Sequence, residues 1–320
     1  MNILITGVAG YIGSNFCKRI AEKNKNYKII TLDNINDYYP KKIKFLKLKE
    51  LKKIKNVKFF KLDLINKTAI DNLFRKYSFD EVFHFAAQAG VRYSEINPQA
   101  YVNSNIKGFL NIIDACKKYK VKKLFFSSSS SVYGDSKKFP FKENQVLKPK
   151  SFYAMSKKFN EDTAKLYFEN YKLKSIGLRF FTVIGETGRP DMLINKYLDG
   201  AFNKKKFFLN NYGKGVRDFT YVGDVVNMLL KLRKKKFQKY EVFNICSNKP
   251  ISLKNILNIL KKNSPKFNII KRGFQRSDVF KTHGQNAKIN KAVKFKEYKD
   301  ANFALLSTIE WYKKNHKLLR

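Results

Sequence analysis

A tyrosine and a lysine four residues apart, Tyr153 and Lys157 in the stretch SFYAMSKK, form the first group that could do chemistry. On a helix this spacing puts both side chains on one face. A phenol with an ordinary pKa of about 10 is a poor base at neutral pH, but a nearby ammonium group favours its phenolate form. The pair therefore predicts a general base, Tyr153, assisted by Lys157, although a solvated surface pair is the commoner meaning of this spacing alone.

Five consecutive serines, Ser127 to Ser131, lie upstream of this pair and follow the apolar segment KKLFF. That segment predicts a buried strand, so the serines stand at its carboxyl end, where doubly wound sheets bind their ligands. Hydroxyl groups there can hydrogen-bond a substrate oxygen without adding charge. We predict that Ser129 shares a substrate hydroxyl with Tyr153 and that Ser130 and Ser131 line the same wall. A serine-rich turn is the structural alternative.

A glycine trio near the amino terminus indicates a dinucleotide site. Gly7, Gly10 and Gly13 follow the strand-like segment NILIT and open a predicted helix, an arrangement that lets the backbone approach a pyrophosphate. Asp33 ends the second predicted strand, where a carboxylate binds ribose hydroxyls and repels a 2′-phosphate, so NAD is favoured over NADP. Asp63 ends the third predicted strand and is expected to reach the adenine edge.

The elements that must position these groups alternate between strand-like and helix-like patterns through the first half of the chain. This alternation predicts an α/β fold, a Rossmann-type doubly wound parallel sheet with helices on both faces. After about Thr182, turn signals such as GETGRPD and NNYGKG become frequent, which indicates a smaller C-terminal α/β lobe. We predict a dinucleotide-binding domain over residues 1–181, to which 216–246 returns, and a substrate-binding lobe over 182–320.

Composition bounds the class of protein. With 320 residues and 43% hydrophobic content, the chain can form one large α/β unit or two intimate domains. No apolar run approaches the roughly 20 residues of a membrane span, and the start MNILITG lacks the features of a signal peptide. The three cysteines and three histidines are scattered, so we expect reduced thiols, no metal site and a cytoplasmic protein.

The net charge of +42 raises the possibility of a nucleic-acid or acidic-membrane partner. The lysines, however, are dispersed over the polar faces of predicted helices and over turns. Lys, Asn, Ile, Phe and Tyr, the enriched residues, have A/T-rich codons, so we attribute the charge to genome composition. We therefore expect no nucleic-acid partner and no membrane partner, while the positive field would attract an anionic substrate.

Over nearly its whole length the chain resembles the extended short-chain dehydrogenase/reductases, the family of NAD-dependent nucleotide-sugar epimerases and dehydratases. The segments TGVAGYIGSN, LDNINDYY, FHFAAQAGVRYS, SSSSSVYGD, YAMSKK, LRFFTVIG and GKGVRDFTYVGDVV occur in the order of that family. Within it, AAQAGVRYS together with LRFFTV and GRPDM is most similar to the UDP-glucuronate 4-epimerases. The departures are Ile184 in place of the usual Tyr, Glu186-Thr187 in place of Pro-Trp, and Arg276-Ser277 in place of Pro-Gly.

This resemblance implies NAD as cofactor, a UDP-sugar as substrate of the second lobe, and a homodimer formed through the helices after Pro98 and Ser151. It implies diphosphate binding by Arg217 and substrate binding by the loop motif that contains Asp278. The cofactor contacts that it implies are Tyr11, Ile12, Asp33, Asn34, Asp63, Leu64, Phe85, Ala86, Ala87, Asn105, Tyr153, Lys157 and Phe180.

The serine wall discriminates among the reactions of the family, all of which begin by oxidising carbon 4 of the sugar. In 4,6-dehydratases an Asp-Glu pair precedes the Val-Tyr-Gly, and in decarboxylases a Glu stands at the second of those positions. Here the positions hold Ser130 and Ser131. The ketone therefore most simply turns over and takes its hydride back on the other face, which is epimerisation at carbon 4. A non-enzymatic protein of this fold that senses NAD or binds RNA is a remote alternative.

The expected substrate is UDP-glucuronate, with a neutral UDP-sugar (UDP-glucose or a UDP-N-acetylhexosamine) as the alternative. Oxidation of UDP-glucuronate at carbon 4 gives a β-keto acid that readily loses CO₂, so the enzyme must hold the carboxylate firmly. Charge-assisted hydrogen bonds suit this task. Arg189 is the first candidate, although an ion pair with Asp191 is its structural alternative. Its predicted partners are Thr182, Ser129, Ser130 and Arg92.

Overall fold

The protein is described by a computed structural model over residues 1–275 and 278–319. The strands are β1 Asn2–Thr6, β2 Lys28–Asp33, β3 Val57–Lys61, β4 Glu81–His84, β5 Lys123–Ser129, β6 Ser175–Phe180, β7 Thr182–Ile184, β8 Phe207–Leu209, β9 Val216–Tyr221, β10 Glu241–Ile245, β11 Pro250–Ser252 and β12 Ile269–Lys271. The helices are α1 Tyr11–Lys23, α2 Lys41–Lys52, α3 Lys67–Tyr77, α4 Tyr93–Ile96, α5 Pro98–Tyr101, α6 Gly108–Lys118, α7 Phe152–Tyr171, α8 Leu193–Asn203, α9 Val222–Leu232, α10 Leu253–Lys262, α11 Ala287–Val293 and α12 Ala301–Leu319.

Seven strands form a central sheet in the order β10-β6-β5-β4-β1-β2-β3, and every neighbouring pair is parallel. The strand order reverses between β1 and β4, so the loops after these two strands diverge and leave a crevice at the carboxyl edge of the sheet. The predicted fold class, a Rossmann-type doubly wound parallel sheet, is confirmed.

Helices cover both faces of this sheet because each buries an apolar stripe against it. One face packs against α1 and α9 through residues such as Phe16 and Leu229. The other face packs against α3 and α6 through residues such as Phe74 and Ile112. Strands β4 and β6 are buried along their whole length, as expected of central parallel strands.

The second lobe contains a three-stranded sheet in the order β11-β9-β7, a two-stranded pair β12-β8, and a separate core beneath α8, α10 and α12. Of the predicted return over 216–246, strand β10 joins the central sheet and α9 packs on its α1 face. Strand β9 instead pairs with β7 in the smaller sheet. The domain boundaries stay a prediction.

Within the described residues, no helix combines the length and apolar character needed to cross a membrane. No cluster of three or more His, Cys, Asp or Glu side chains in the same part of the chain is arranged to hold a metal ion.

Candidate active site

A cavity of about 1080 Å³ lies at the carboxyl edge of the central sheet and extends into the second lobe. Its floor contains the turn after β1, and its wall contains the end of β5 and the start of α7. Its far end is lined by Phe208 and Arg217 of the second lobe. The cavity therefore joins the predicted dinucleotide site to the predicted substrate site.

Where β1 leads into α1, Gly7 and Gly13 leave no room for a side chain. Gly7 has φ 71°, and a Cβ atom there would lie 2.5 Å from the backbone nitrogen of Ala86. A Cβ atom on Gly13 would lie 2.3 Å from the carbonyl oxygen of Gly7. The backbone is thus exposed to the cavity where α1 begins, and the amide groups of a helix amino terminus favour a phosphate group. This cradle fits the pyrophosphate of NAD.

Asp33, at the end of β2, is fixed by two backbone bonds. Its carboxylate accepts hydrogen bonds from the amides of Ala9 at 3.1 Å and Ile35 at 2.8 Å, and burial raises its pKa. Beside it, the amide of Asn34 donates to Asp63 at 2.9 Å. The three polar side chains form one rim of the cavity, where an adenosine would lie.

A buried lysine that sequence reasoning missed supports this rim. Lys44 of α2 lines the cavity, and its Nζ donates to the backbone oxygen of Asn36 at 2.7 Å and to its side-chain oxygen at 2.6 Å. Asn36 in turn donates to Gln88 at 3.3 Å. No sequence signal separates Lys44 from the other lysines of KKIKFLKLKELKK.

The predicted catalytic side chains come together at the start of α7. Ser151 caps this helix by accepting a hydrogen bond from the amide of Ala154 at 3.1 Å, so Tyr153 falls in its first turn. Its phenol lies close enough to Ser129, at the end of β5, for that side chain to lower the pKa of the phenol. Lys157, one turn further on, donates to the carbonyl oxygen of Ser127 at 2.9 Å. All of these except Ala154 line the cavity.

Burial dominates the electrostatics of this group. Burial raises the pKa of Tyr153, while the nearby Ser129 side chain and the charge of Arg189 oppose that rise. Burial also lowers the pKa of Lys157 to about 7. That Lys157 and the positively charged nicotinamide ring of bound NAD⁺ together favour the phenolate of Tyr153 stays a prediction.

Arg189 lies in the loop after β7 and lines the cavity, but its guanidinium group is already paired. Its Nε and Nη2 donate to the two carboxylate oxygens of Asp191 at 3.0 and 2.5 Å. The hydroxyl of Tyr38 donates to the same carboxylate at 2.9 Å. The ion pair considered as the alternative for Arg189 is thus present, although at the cavity wall and not on an exposed loop.

The other predicted substrate residues also line the cavity, namely Arg92, Ser129, Ser130, Thr182, Arg217 and Asp278. The structure brings Arg92 to Asp278, with Nε–Oδ1 and Nη2–Oδ2 distances of 3.1 and 2.5 Å; it does not bring Arg92 to Arg189. Arg217 donates to the carbonyl oxygens of Val279 and Phe280 at 2.7 and 2.9 Å. Two arginines therefore hold residues 278–280 at the mouth of the cavity.

Asn105 is the predicted cofactor contact that does not line the cavity. It is fully buried, accepts a hydrogen bond from the amide of Gln88 at 2.7 Å and donates to its carbonyl oxygen at 3.0 Å. It thus supports the cavity wall from behind. Every other predicted cofactor contact lines the cavity: Gly7, Gly10, Tyr11, Ile12, Gly13, Asp33, Asn34, Asp63, Leu64, Phe85, Ala86, Ala87, Tyr153, Lys157 and Phe180.

The family departures after β7 have local partners. Ile184 is buried in the second lobe's core. Glu186 accepts a hydrogen bond from the hydroxyl of Tyr221 at 3.2 Å, and Thr187 accepts one from Asn15 of α1 at 3.1 Å. The remaining departure, Arg276-Ser277, lies outside the described residues.

Residues 3–246 match the NAD dependent epimerase/dehydratase family. The chain belongs to this family. NAD is the cofactor on which the family depends, and the resemblance found in the sequence motifs is confirmed.

The chain is similar to proteins named UDP-glucuronate 4-epimerase and to a UDP-glucose 4-epimerase. A Thermodesulfobacterium geofontis protein named UDP-glucuronate 4-epimerase is 36% identical over 322 residues, which cover 99% of this chain and 98% of that protein. The crystal structure of UDP-glucuronic acid 4-epimerase from Bacillus cereus, in complex with UDP-glucuronic acid and NAD, has a TM-score of 0.90 and 28% identity over 98% of this chain and 99% of that one. UDP-glucose 4-epimerase from Thermotoga maritima, with UDP-glucose, has a TM-score of 0.89 and 27% identity over 99% of this chain and all of that one.

Proposed function

We propose that this protein is an NAD-dependent UDP-sugar 4-epimerase that interconverts UDP-glucuronate and UDP-galacturonate. The observation that carries the proposal is that Tyr153, Ser129 and Arg189 line one cavity, where Ser129 and Arg189 both favour the phenolate of Tyr153. Serines stand at positions 130 and 131, where a dehydratase would need ionisable groups. The similarity to proteins named UDP-glucuronate 4-epimerase supports the choice of substrate.

In this mechanism Tyr153 accepts the proton of the sugar's 4-hydroxyl and later returns it, while Ser129 holds the same oxygen. Bound NAD supplies the hydride acceptor and donor. Lys157 lies one turn after Tyr153 on α7 and is fixed on the Ser127 carbonyl. Because Ser130 and Ser131 cannot move protons at carbons 5 or 6, the 4-ketone has no elimination route, and it is reduced on its other face after the ring turns over.

The carboxylate is the part of the substrate that Arg189 would bind. Asp191 competes with it, because that side chain occupies both the Nε and the Nη2 of the guanidinium group. Turnover of UDP-glucuronate therefore requires the substrate to displace Asp191 or to use the remaining guanidinium edge with Thr182. The same pairing is the observation that favours the rival, a neutral UDP-sugar, since a neutralised Arg189 offers no free charge.

One assay decides between UDP-glucuronate and a neutral UDP-sugar as substrate. Wild type and two variants are incubated with UDP-glucuronate, UDP-glucose and UDP-N-acetylglucosamine, and the 4-epimers are separated by chromatography. We expect wild type to prefer UDP-glucuronate. Arg189→Ala should lose about 10²-fold on that substrate, since a charged, partly buried contact is worth roughly 3 kcal/mol. Asp191→Asn should lower its KM, because the competing carboxylate charge is removed. Faster wild-type turnover of a neutral sugar, with Arg189→Ala harmless, would establish the rival.

We further propose that the enzyme is a cytoplasmic homodimer that pairs through α6 and α7. Support comes from apolar side chains on the outer surface of α7: Phe152, Met155 and Leu166 are 37%, 52% and 50% exposed. Light scattering of wild type and of Met155→Asp tests the dimer. A monomeric wild type would contradict it.

A further inference from the structure

Helix α7 presents three polar residues to strand β5 at intervals of one helical turn. Tyr153 lies beside Ser129 in the cavity wall, and Lys157 donates to the carbonyl of Ser127 at 2.9 Å. The third is Glu161, which accepts a hydrogen bond from the hydroxyl of Ser128 at 2.5 Å. Each of three consecutive serines is thus tied to a different turn of α7, but the family resemblance and the mechanism above use only the first two ties.

The third tie is anchored by a buried ion pair. Arg179 of β6, the register partner of Ser128, donates to the two oxygens of Glu161 at 2.8 and 2.7 Å. Both side chains are 4% exposed. Arg179 also donates to the hydroxyl of Tyr133 at 2.8 Å, and Tyr133 follows the serine run. One ion pair therefore joins α7, the end of β5, the end of β6 and the turn after the serines.

A buried ion pair contributes little to stability compared with apolar side chains of the same size, because two charges must be desolvated. Its directed bonds do fix the relative position of the elements that carry them. Here those elements carry the general base, the substrate-binding serine and Phe180, which lines the cofactor side of the cavity. A misplacement of about 1 Å at reacting groups can slow a reaction about 10²-fold.

We propose that Glu161 and Arg179 are positioning residues for the epimerisation: they set the depth and rotation of α7 so that Tyr153 and Ser129 face the same substrate oxygen. This inference rests on the proposed 4-epimerase activity. It differs from a purely structural role in one respect, since the loss of the ion pair must change turnover in molecules that are still folded.

The chain contains a matched control for this distinction. Glu81 of β4 and Arg233, which follows α9, form a second buried pair with an Nε–Oε2 distance of 2.8 Å and exposed fractions of 9% and 7%. Glu81 stands at the amino end of its strand, on the edge of the sheet opposite the cavity. Glu161→Gln and Glu81→Gln therefore each remove one carboxylate charge from a buried ion pair with an arginine, the first on the helix that carries Tyr153 and the second at the opposite edge of the sheet.

The experiment measures kcat and KM for the UDP-sugar that wild type turns over best, at a temperature where both variants are folded by circular dichroism and carry equal NAD. We expect both to lower the Tm, since both leave a buried arginine without its counter-charge. Glu161→Gln should lower kcat by about 10- to 100-fold with KM within about two-fold. Glu81→Gln should leave kcat within about two-fold.

Ser128→Ala provides the second variant should Glu161→Gln fail to fold. It keeps the ion pair and removes only the hydrogen bond from Ser128, so we expect a normal Tm within about 2 °C and a kcat lower by about 3- to 10-fold. Equal kcat in all three variants and wild type would overturn the positioning role and leave the 4-epimerase proposal intact. A wild type inactive on every UDP-sugar would overturn the proposed function and this inference with it.

Discussion

Burial of Lys47 lowers the stability of the folded protein, and no sequence pattern distinguishes this residue from its neighbouring lysines. It lies on α2 with only 7% of its surface exposed, and among the described residues its Nζ has no hydrogen-bond partner. The ring of Tyr11 lies 5.8 Å away. Burial and the charge of Arg189 lower its pKa from 10.5 to about 7, although Asp33 opposes them. We predict that Lys47→Met stabilises the protein, because methionine keeps the length of the chain without the charge.

The magnitude follows from proton linkage. Because the folded pKa lies below the unfolded pKa, the cost of burying the lysine is full below about pH 7 and disappears as the pH rises toward 10.5. At about 1.4 kcal/mol for each pKa unit, the cost is roughly 4 kcal/mol at pH 7.5 and about half that at pH 9. Loss of the contact with Tyr11 returns up to about 1 kcal/mol. We therefore expect a gain of about 2–4 kcal/mol at pH 7.5.

Calorimetry at matched NAD content measures this gain. For 320 residues the unfolding entropy is about 0.7 kcal/mol/K, so the Tm should rise by about 3–6 °C at pH 7.5 and by roughly half as much at pH 9. Two lysines of the same helix serve as controls. Lys49→Met, at an exposed position, should change little, and Lys44→Met should destabilise because it breaks both bonds to Asn36.

An unchanged or lower Tm for Lys47→Met would refute the argument from burial. So would an equal gain at both pH values, since the effect would then not come from the titration of the ammonium group. Loss of bound NAD in Lys47→Met would show that the lysine serves the cofactor and that its burial has a function.

Two further predictions concern single groups. Tyr153→Phe should lower kcat by about 10²–10⁴-fold, because the proposed base is removed while the ring still packs, and calorimetric titration with UDP should show unchanged binding; more than half of the wild-type rate would contradict the assignment. Asp218 is fully buried, and burial raises its pKa from 3.8 to about 6. Because its folded pKa lies above the unfolded value, its charge costs stability above pH 6, and about 3 kcal/mol should be regained as the pH falls from 6 toward 4. Thermal unfolding over that range should show a gain about 3 kcal/mol larger in wild type than in Asp218→Asn. Asp224, whose pKa burial also raises to about 6, titrates in both proteins, so parallel curves would exclude the effect of Asp218.

The sequence determined the groups whose chemistry depends on near neighbours along the chain. The Gly7–Gly13 turn, the acid at the end of β2, and the spacing of Tyr153 and Lys157 are local patterns. Each is placed by the strand or helix that contains it, and the spacing of hydrophobic residues predicts those strands and helices. The carboxyl edge of a parallel sheet then brings these separate patterns into one cavity. That is why fold class and cofactor could be predicted from local sequence patterns.

The tertiary structure decided which charged side chains meet. Arg92 pairs with Asp278 across 186 residues, and Glu161 pairs with Arg179; no periodicity marks either partner. Burial could not be predicted either. Lys44 and Lys47 have the same sequence surroundings as the exposed lysines of α2, yet these two are the buried lysines of that helix. The pKa of Tyr153 rises for the same reason, since desolvation depends on everything packed around a group and not on its neighbours in sequence. Long-range electrostatics and desolvation belong to the folded chain, so only the structure could fix them.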